Sequence, residues 1–251
     1  MNLHHPKSCW RQDIERREWC QAVLEGVWII CMLAYLFYDK WWMALALSPL
    51  LGAYLIVWTR DMEKKKAREF CLQFKDAMQT LASALAAGYS VENALREVEK
   101  DLHTLYPEKA RIRKEFTVIV HQLNMNFAAE WVLKDFALRV EQEDVENFVT
   151  VFSIAKKSGG DSISIIRNTI QMICEKIEVR QEIAVLISAK RFEFRVMTVI
   201  PLIIIFYMRF SFPEFLNVLY GNVMGAVIMT ICLILYGCAY FLGKKVIEIE
   251  V

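Results

Sequence analysis

Glycine and proline are scarce in this chain, 9 and 5 of 251 residues, so neither a Gly/Ser-rich nor a Pro-rich linker is present. The seven cysteines stand at positions 9, 20, 31, 71, 174, 232 and 238. Their number is odd, no CxxC pair occurs and two lie deep in an apolar run, which argues against a disulfide framework or a zinc site. The four histidines are His4, His5, His103 and His121. Only the adjacent His4–His5 pair is close in sequence, as in a solvated terminus. No GxxxxGK[ST] loop is present, which excludes P-loop ATP hydrolysis. GxGxxG, HExxH and GxSxG are also missing. No alternating strand pattern of useful length appears. No enzymatic activity, cofactor or metal is therefore expected.

Charge is present but unevenly placed. The net charge is +1 and 56% of residues are hydrophobic, more than a soluble globular domain ordinarily carries. Residues 23–58 and 196–242 are nearly free of charge, and the middle between them is rich in Lys, Arg, Glu and Asp. A helix crosses a bilayer with about 20 apolar residues, since each adds only about 1.5 Å. Val27–Tyr38, extended back through Gln21–Gly26 with Glu25 at the interface, reads as a first span. Asp39 and Lys40 mark a turn, and Trp41–Trp58 reads as a second, with Trp41, Trp42 and Trp58 at interfacial positions. A third begins at Val196, with Pro201 expected to kink it and Arg209 to snorkel. Asn222–Gly243 is the fourth. The N-terminal stretch is too polar for a signal peptide, so the first run reads as a retained helix.

The basic residues decide the orientation. Arg11, Arg16 and Arg17 precede the first span; Arg60, Lys64, Lys65, Lys66 and Arg68 follow the second. Lys190, Arg191 and Arg195 precede the third, and Lys244 and Lys245 follow the fourth. The opposite loops carry only Lys40 and Arg209. Both termini and the middle are thus expected on the cytoplasmic side. The layout is an all-α membrane protein with four transmembrane helices around a cytoplasmic helical bundle. It divides into an N-terminal segment (1–20), a two-span hairpin (21–58), a helical domain (59–195), a second hairpin (196–243) and a tail (244–251).

Within the middle, apolar residues recur at helical spacing. Phe70, Phe74, Ala77, Met78, Leu81 and Leu85 form one stripe, and Gly88 ends that helix in the left-handed conformation. Ser90 is placed to cap the next, which carries Val91, Ala94, Leu95, Val98 and Leu102. Pro107 is read as opening a helix with Ile112, Phe116, Ile119, Val120 and Leu123, ended at Asn124 and Asn126. Trp131, Val132, Phe136 and Val140 form another stripe, and Val145, Phe148, Phe152 and Ala155 a fifth. Gly159 and Gly160 break the chain, and Asp161 or Ser162 caps the last helix. Ile163, Ile166, Ile170, Ile173 and Ile177 line it, and nothing interrupts it before Pro201, so one rod is expected from Ser162 into the third span. The outline of LASALAAGYSVENALREVE (81–99) returns in VIVHQLNMNFAAEWVLKDFA (118–137), with Asn, which tolerates the left-handed conformation, in place of Gly.

The segments LASALAAGYSVENAL (81–95), FSIAKKSGGDSISIIRNT (152–169) and EKIEVRQEIAVLISAKRFEFRVMTVIP (175–201) resemble the F domain of type II secretion. The order of two spans, one F domain and two spans is similar to the inner-membrane platform proteins of the Tad (tight adherence, Flp) pilus system. FPEFLNVLYGNVMG (212–225) is similar to the outer loop that opens the last span there. The resemblance covers about residues 60–245. The chain departs from it at Asn124–Met125–Asn126, which stand near a usual glycine.

The resemblance implies a non-enzymatic platform in the cell (inner) membrane. Its implied partners are a cytoplasmic hexameric ATPase, a sister F-domain protein, pilin subunits, the lipid bilayer and other copies of itself, without nucleic acid. Gly88, Ser90, Gly159, Gly160, Asp161 and Pro201 are its structural turns and breaks. Lys64, Lys65, Lys66 and Arg180 are candidate motor contacts, although a basic run after a span ordinarily serves topology and lipid headgroups. The competing readings are a permease subunit of a small-molecule transporter and a membrane receptor. Spans as bulky as WIICMLAYLF and VIPLIIIFYM and short outer loops speak against both.

Overall fold

A computed structural model describes Trp10 and residues 16–38, 48–158, 162–212 and 223–249. Every long element among them is an α-helix: α1 Arg16–Tyr38, α2 Ser48–Ala86, α3 Val91–Leu105, α4 Arg111–Asn124, α5 Ala129–Val140, α6 Glu143–Ser158, α7 Ser162–Ser211 and α8 Val223–Ile249. The chain forms two compact units. The first comprises Met1–Ile14 and Asp61–Arg180, the second Glu15–Arg60 and Gln181–Val251. Helices α2 and α7 contribute residues to both.

The first unit is a helical bundle around one apolar core. The stripes of α2, α3, α4 and α6 are buried as their spacing requires, except that Val91, the first residue of α3, is only partly buried against the core. Two stripes differ from expectation. Trp131 is exposed, and the buried residues of α5 are Ala129, Val132, Leu133, Phe136, Ala137 and Val140. Successive helical residues are turned by roughly 100°, so Trp131 cannot share the face of Val132 and Phe136. In α7, Ile166, Ile170, Ile173 and Ile177 are buried but Ile163, in the first turn, is exposed. The third helix of the unit also starts later than Pro107. Ala110 N donates to the Pro107 carbonyl in a turn, and α4 begins at Arg111.

Among the described residues, three helices end in left-handed caps. Gly88 has φ +87°; Tyr89 N donates to the Ala84 carbonyl and Gly88 N to Leu85. Asn126 has φ +64°, with Phe127 N on Gln122 and Asn126 N on Leu123. Both bonds of a Schellman motif are thus made twice, once around glycine and once around asparagine. Glu141, φ +49°, closes α5 with the simpler bond from its N–H to Ala137.

A Cβ at Gly88 would have nothing within 4 Å, so a side chain there costs only backbone strain. Gly88→Val should destabilise the bundle by about 1–2 kcal/mol. Gly88→Asn should cost much less, because asparagine tolerates this region. Equal losses for the two variants in denaturant unfolding of the full chain would contradict that cause.

In the second unit, α1 packs on α8, and Leu36, Phe37 and Met229 form a small buried cluster. Among the described residues, three helices are long and apolar enough to cross a membrane: Arg16–Phe37, the helix Ser162–Ser211, and Val227–Val246. The rod expected from Ser162 is one continuous helix through Pro201. Of the expected second span, residues 41–47 and the Asp39–Lys40 turn lie outside the described residues, and 48–58 open α2. Arg209 does more than reach for an interface. It stacks 3.9 Å over the Tyr35 ring and donates to the Tyr35 carbonyl near the end of α1. A cation there satisfies a terminal carbonyl and meets the negative end of the helix dipole. The Tyr236 hydroxyl similarly donates to the Thr198 carbonyl at 2.7 Å, joining α8 to α7.

Candidate interaction surface of the helical domain

The bundle has two distinct ends, because α3 to α7 alternate in direction. Arg96 Nε donates to Asn124 Oδ1 at 3.3 Å and Lys157 pairs with Glu130 at 3.9 Å. These contacts gather the 87–90 and 124–128 turns and the close of α6 at one end. Exposed Tyr89, Met125, Phe127 and Trp131 stand there. Phe127 and Trp131 stack with ring centroids 4.9 Å apart, which gives the end a ready-made aromatic anchor.

The other end is closed by Trp10. Trp10 is only 5% exposed, its ring 5.2 Å from that of Phe70. The Arg111 guanidinium lies 4.5 Å over it, a cation–π contact, and also donates to the Arg139 carbonyl at 3.0 Å. Phe70 continues inward to Phe74 and Phe136. Tyr106 donates to the Asp76 carboxylate. Burial first, and that bond second, push its hydroxyl up to about 12.

Charge is buried at one place on the α6–α7 seam. Asp144 is 2% exposed and takes Arg180 Nη1 at 2.8 Å. Lys176 Nζ lies 2.9 Å from both Asp144 Oδ1 and Glu143 Oε1, and its directed hydrogen bond goes to Glu143. The bond from Lys176 holds the Glu143 carboxyl below its usual range. That pair therefore stabilises above about pH 4.3 and fades as acid protonates the carboxylate. Nearby, Cys71 Sγ donates to Gln142 Oε1 at 3.4 Å, and Cys174 is buried against the Lys75 carbonyl. Burial pushes both thiols up to about 11. Thiolates are the reactive form, so maleimide at pH 8 should label Cys71 and Cys174 far more slowly in the folded chain than after denaturation. Rapid native labelling of either, read by peptide mass spectrometry, would contradict this.

The residues singled out in the sequence are thus dispersed. Gly88 and Ser90 share one turn, where the Ser90 hydroxyl accepts from Asn93 N at 3.3 Å and caps α3. Gly159, Gly160 and Asp161 lie outside the described residues; Ser162, next to them, bonds the Ala155 carbonyl. Pro201 lies inside α7. Lys64, Lys65 and Lys66 lie on α2, while Arg180 is engaged with Asp144. Sequence reasoning missed Trp10 and Asp144. Neither belongs to a periodic stripe, and both are buried by residues far away in the chain. Among the described residues no group of His, Cys, Asp and Glu is placed to hold a metal.

A helical bundle together with helices long and apolar enough to cross a membrane is the architecture of the class of membrane proteins that carry a helical domain of their own. The family model of type II secretion system (T2SS) protein F matches residues 77–209, more than half of the chain, and the chain belongs to that family. The matched stretch runs from the end of α2 to Arg209 near the close of α7. No curated protein and no solved structure matches. The family supports a membrane platform in secretion or pilus machinery rather than an enzyme.

Proposed function

We propose that this protein is the inner-membrane platform of a Tad-type pilus, or of a closely related type II secretion machine. In this reading four spans, with Trp41–Trp58 as the second, hold both termini and the helical domain on the cytoplasmic side. The domain receives a hexameric ATPase and a sister F-domain protein, and the membrane helices pass the motor's motion to pilin subunits entering the fibre. One observation carries the reading: the family match ends inside a single 50-residue helix, α7, that begins in the bundle and is apolar enough to span a bilayer. An unbroken helix of about 75 Å, at 1.5 Å per residue, is a mechanical link that a flexible linker is not. The stacked Phe127–Trp131 pair supplies an apolar anchor of the kind that protein partners take up.

Deletion of the protein in its native cell tests this. The expected outcome is loss of surface fibres or of secreted substrate with ATPase and pilin levels unchanged, restored by the intact chain. Normal fibres and secretion, with a defect in small-molecule uptake instead, would contradict the proposal.

A further inference from the structure

Helices α7 and α8 meet closely where their apolar stretches give way to charge. A Cβ at Gly243 would run into the Phe194 ring, and Phe194 stacks on Tyr240 with ring centroids 5.8 Å apart. One turn deeper, the Tyr236 hydroxyl bonds the Thr198 carbonyl. Thr198 opposite Tyr236 and Phe194 opposite Tyr240 define an antiparallel register. One more turn sets Arg191 level with Lys244. Arg191, Phe194, Arg195 and Thr198 are spaced three and four apart and so share one side of α7. Lys244, four residues beyond Tyr240, shares its side of α8. Two guanidiniums and an ammonium thus border one crossing, and exposed Lys245 stands beside them.

The chain itself does not neutralise the two arginines. Glu193 is the one carboxylate between residues 183 and 213, and it takes Lys190 at 3.1 Å. Among the described residues, neither Arg191 nor Arg195 has a hydrogen-bond or ion-pair partner. A basic flank alone serves topology. Two unpaired guanidiniums on one face, held at a close helix crossing, also suit an oxyanion, because their forked donors match phosphate two at a time.

The position of the cluster says what carries that phosphate. Arg195 immediately precedes the apolar stretch that starts at Val196, and Lys244 immediately follows the one that ends at Gly243. In a bilayer that boundary is the headgroup level. One and two turns beyond Arg195, Val199 and Ile203 are exposed, as is Phe241 one turn from Lys245. They offer apolar surface to acyl chains directly under the cations. A zwitterionic lipid also brings a phosphate, but its own cation would meet Lys244 and Lys245. A lipid whose headgroup carries no cation meets no such repulsion.

We propose that the α7–α8 crossing binds one anionic phospholipid, its phosphodiester held by Arg191, Arg195 and Lys244 and its acyl chains along Val199, Ile203 and Phe241. The site needs only these two helices in a bilayer and holds whether or not the helical domain receives a motor. Native mass spectrometry of the full-length protein in mild detergent, titrated with phosphatidylglycerol or phosphatidylcholine, tests it. The wild type should retain one phosphatidylglycerol about tenfold more tightly than phosphatidylcholine, since each basic residue near a headgroup contributes about a factor of five. Arg191→Gln with Arg195→Gln should remove that preference, while Arg191→Lys with Arg195→Lys should keep part of it. Arg16→Gln with Arg17→Gln, which takes the same two charges from the start of α1, should leave it unchanged. No preference in the wild type, a preference that survives the glutamine pair, or equal losses in the glutamine pair and either other pair would overturn the proposal. So would displacement of the lipid by millimolar inorganic phosphate, which would mark a site for the free anion.

Discussion

Trp10→Ala should loosen the helical domain by about 3 kcal/mol, although position 10 belongs to a polar stretch preceding the first membrane helix. The indole is buried against Phe70 and beneath Arg111. Truncation removes its apolar area and its cation–π partner together and leaves a cavity at the mouth of the core. Hydrogen exchange of core amides in α3–α6 of the full chain, in detergent, is the readout. About a hundredfold faster exchange is expected, since each 1.4 kcal/mol is a factor of ten. Trp10→Phe should recover much of the protection. Unchanged exchange in Trp10→Ala would show that the indole merely rests on the domain.

Phe136→Ala should be more damaging, at about 4 kcal/mol. Phe136 is buried, with ring centroids 6.5, 6.4 and 5.9 Å from Phe70, Phe74 and Phe116. Its removal opens a hole where α2, α4 and α5 meet, and strips three aromatic pairs of a partner. Phe136→Leu, which keeps most of the volume, should cost about 1 kcal/mol. Trp131→Ala, five residues earlier on the same helix, should change stability by no more than about 0.5 kcal/mol because the indole is exposed. Equal losses at positions 131 and 136 would mean that α5 is rotated from the orientation described here.

These contrasts show where local sequence chemistry sufficed. The Gly88 and Asn126 caps were legible because a Schellman turn is decided within six residues. Asparagine at 126 does the work of glycine because it accepts a positive φ. The buried faces of α2, α3, α4 and α6 followed from spacing alone. Trp131 was misplaced because an aromatic next to a true stripe residue reads as part of it, although the turn of roughly 100° per residue already sets it on another face, where it stacks on Phe127. The start of α4 was set four residues early because Pro107 suits both a first helical turn and the tight turn it occupies. Trp10, Asp144 and the bond from Arg209 to Tyr35 were not legible. Each depends on a partner brought close by the fold, from Phe70 to Trp10, from Arg180 to Asp144, and from α7 to the end of α1.

The functional reading rests on the same division. Membership in the protein F family concerns the helical domain and the helix leaving it; the proposed coupling concerns what that domain touches. The long α7 gives the coupling a physical route, and the Phe127–Trp131 end gives a partner something to hold. Affinity purification of the tagged protein from mildly solubilised native membranes, with crosslinking and mass spectrometry, tests this most directly. The platform account predicts recovery of a hexameric secretion-type ATPase and a second F-domain protein, crosslinked to residues between 60 and 195. Recovery of an ABC-type ATPase or a soluble ligand-binding protein in their place would contradict it.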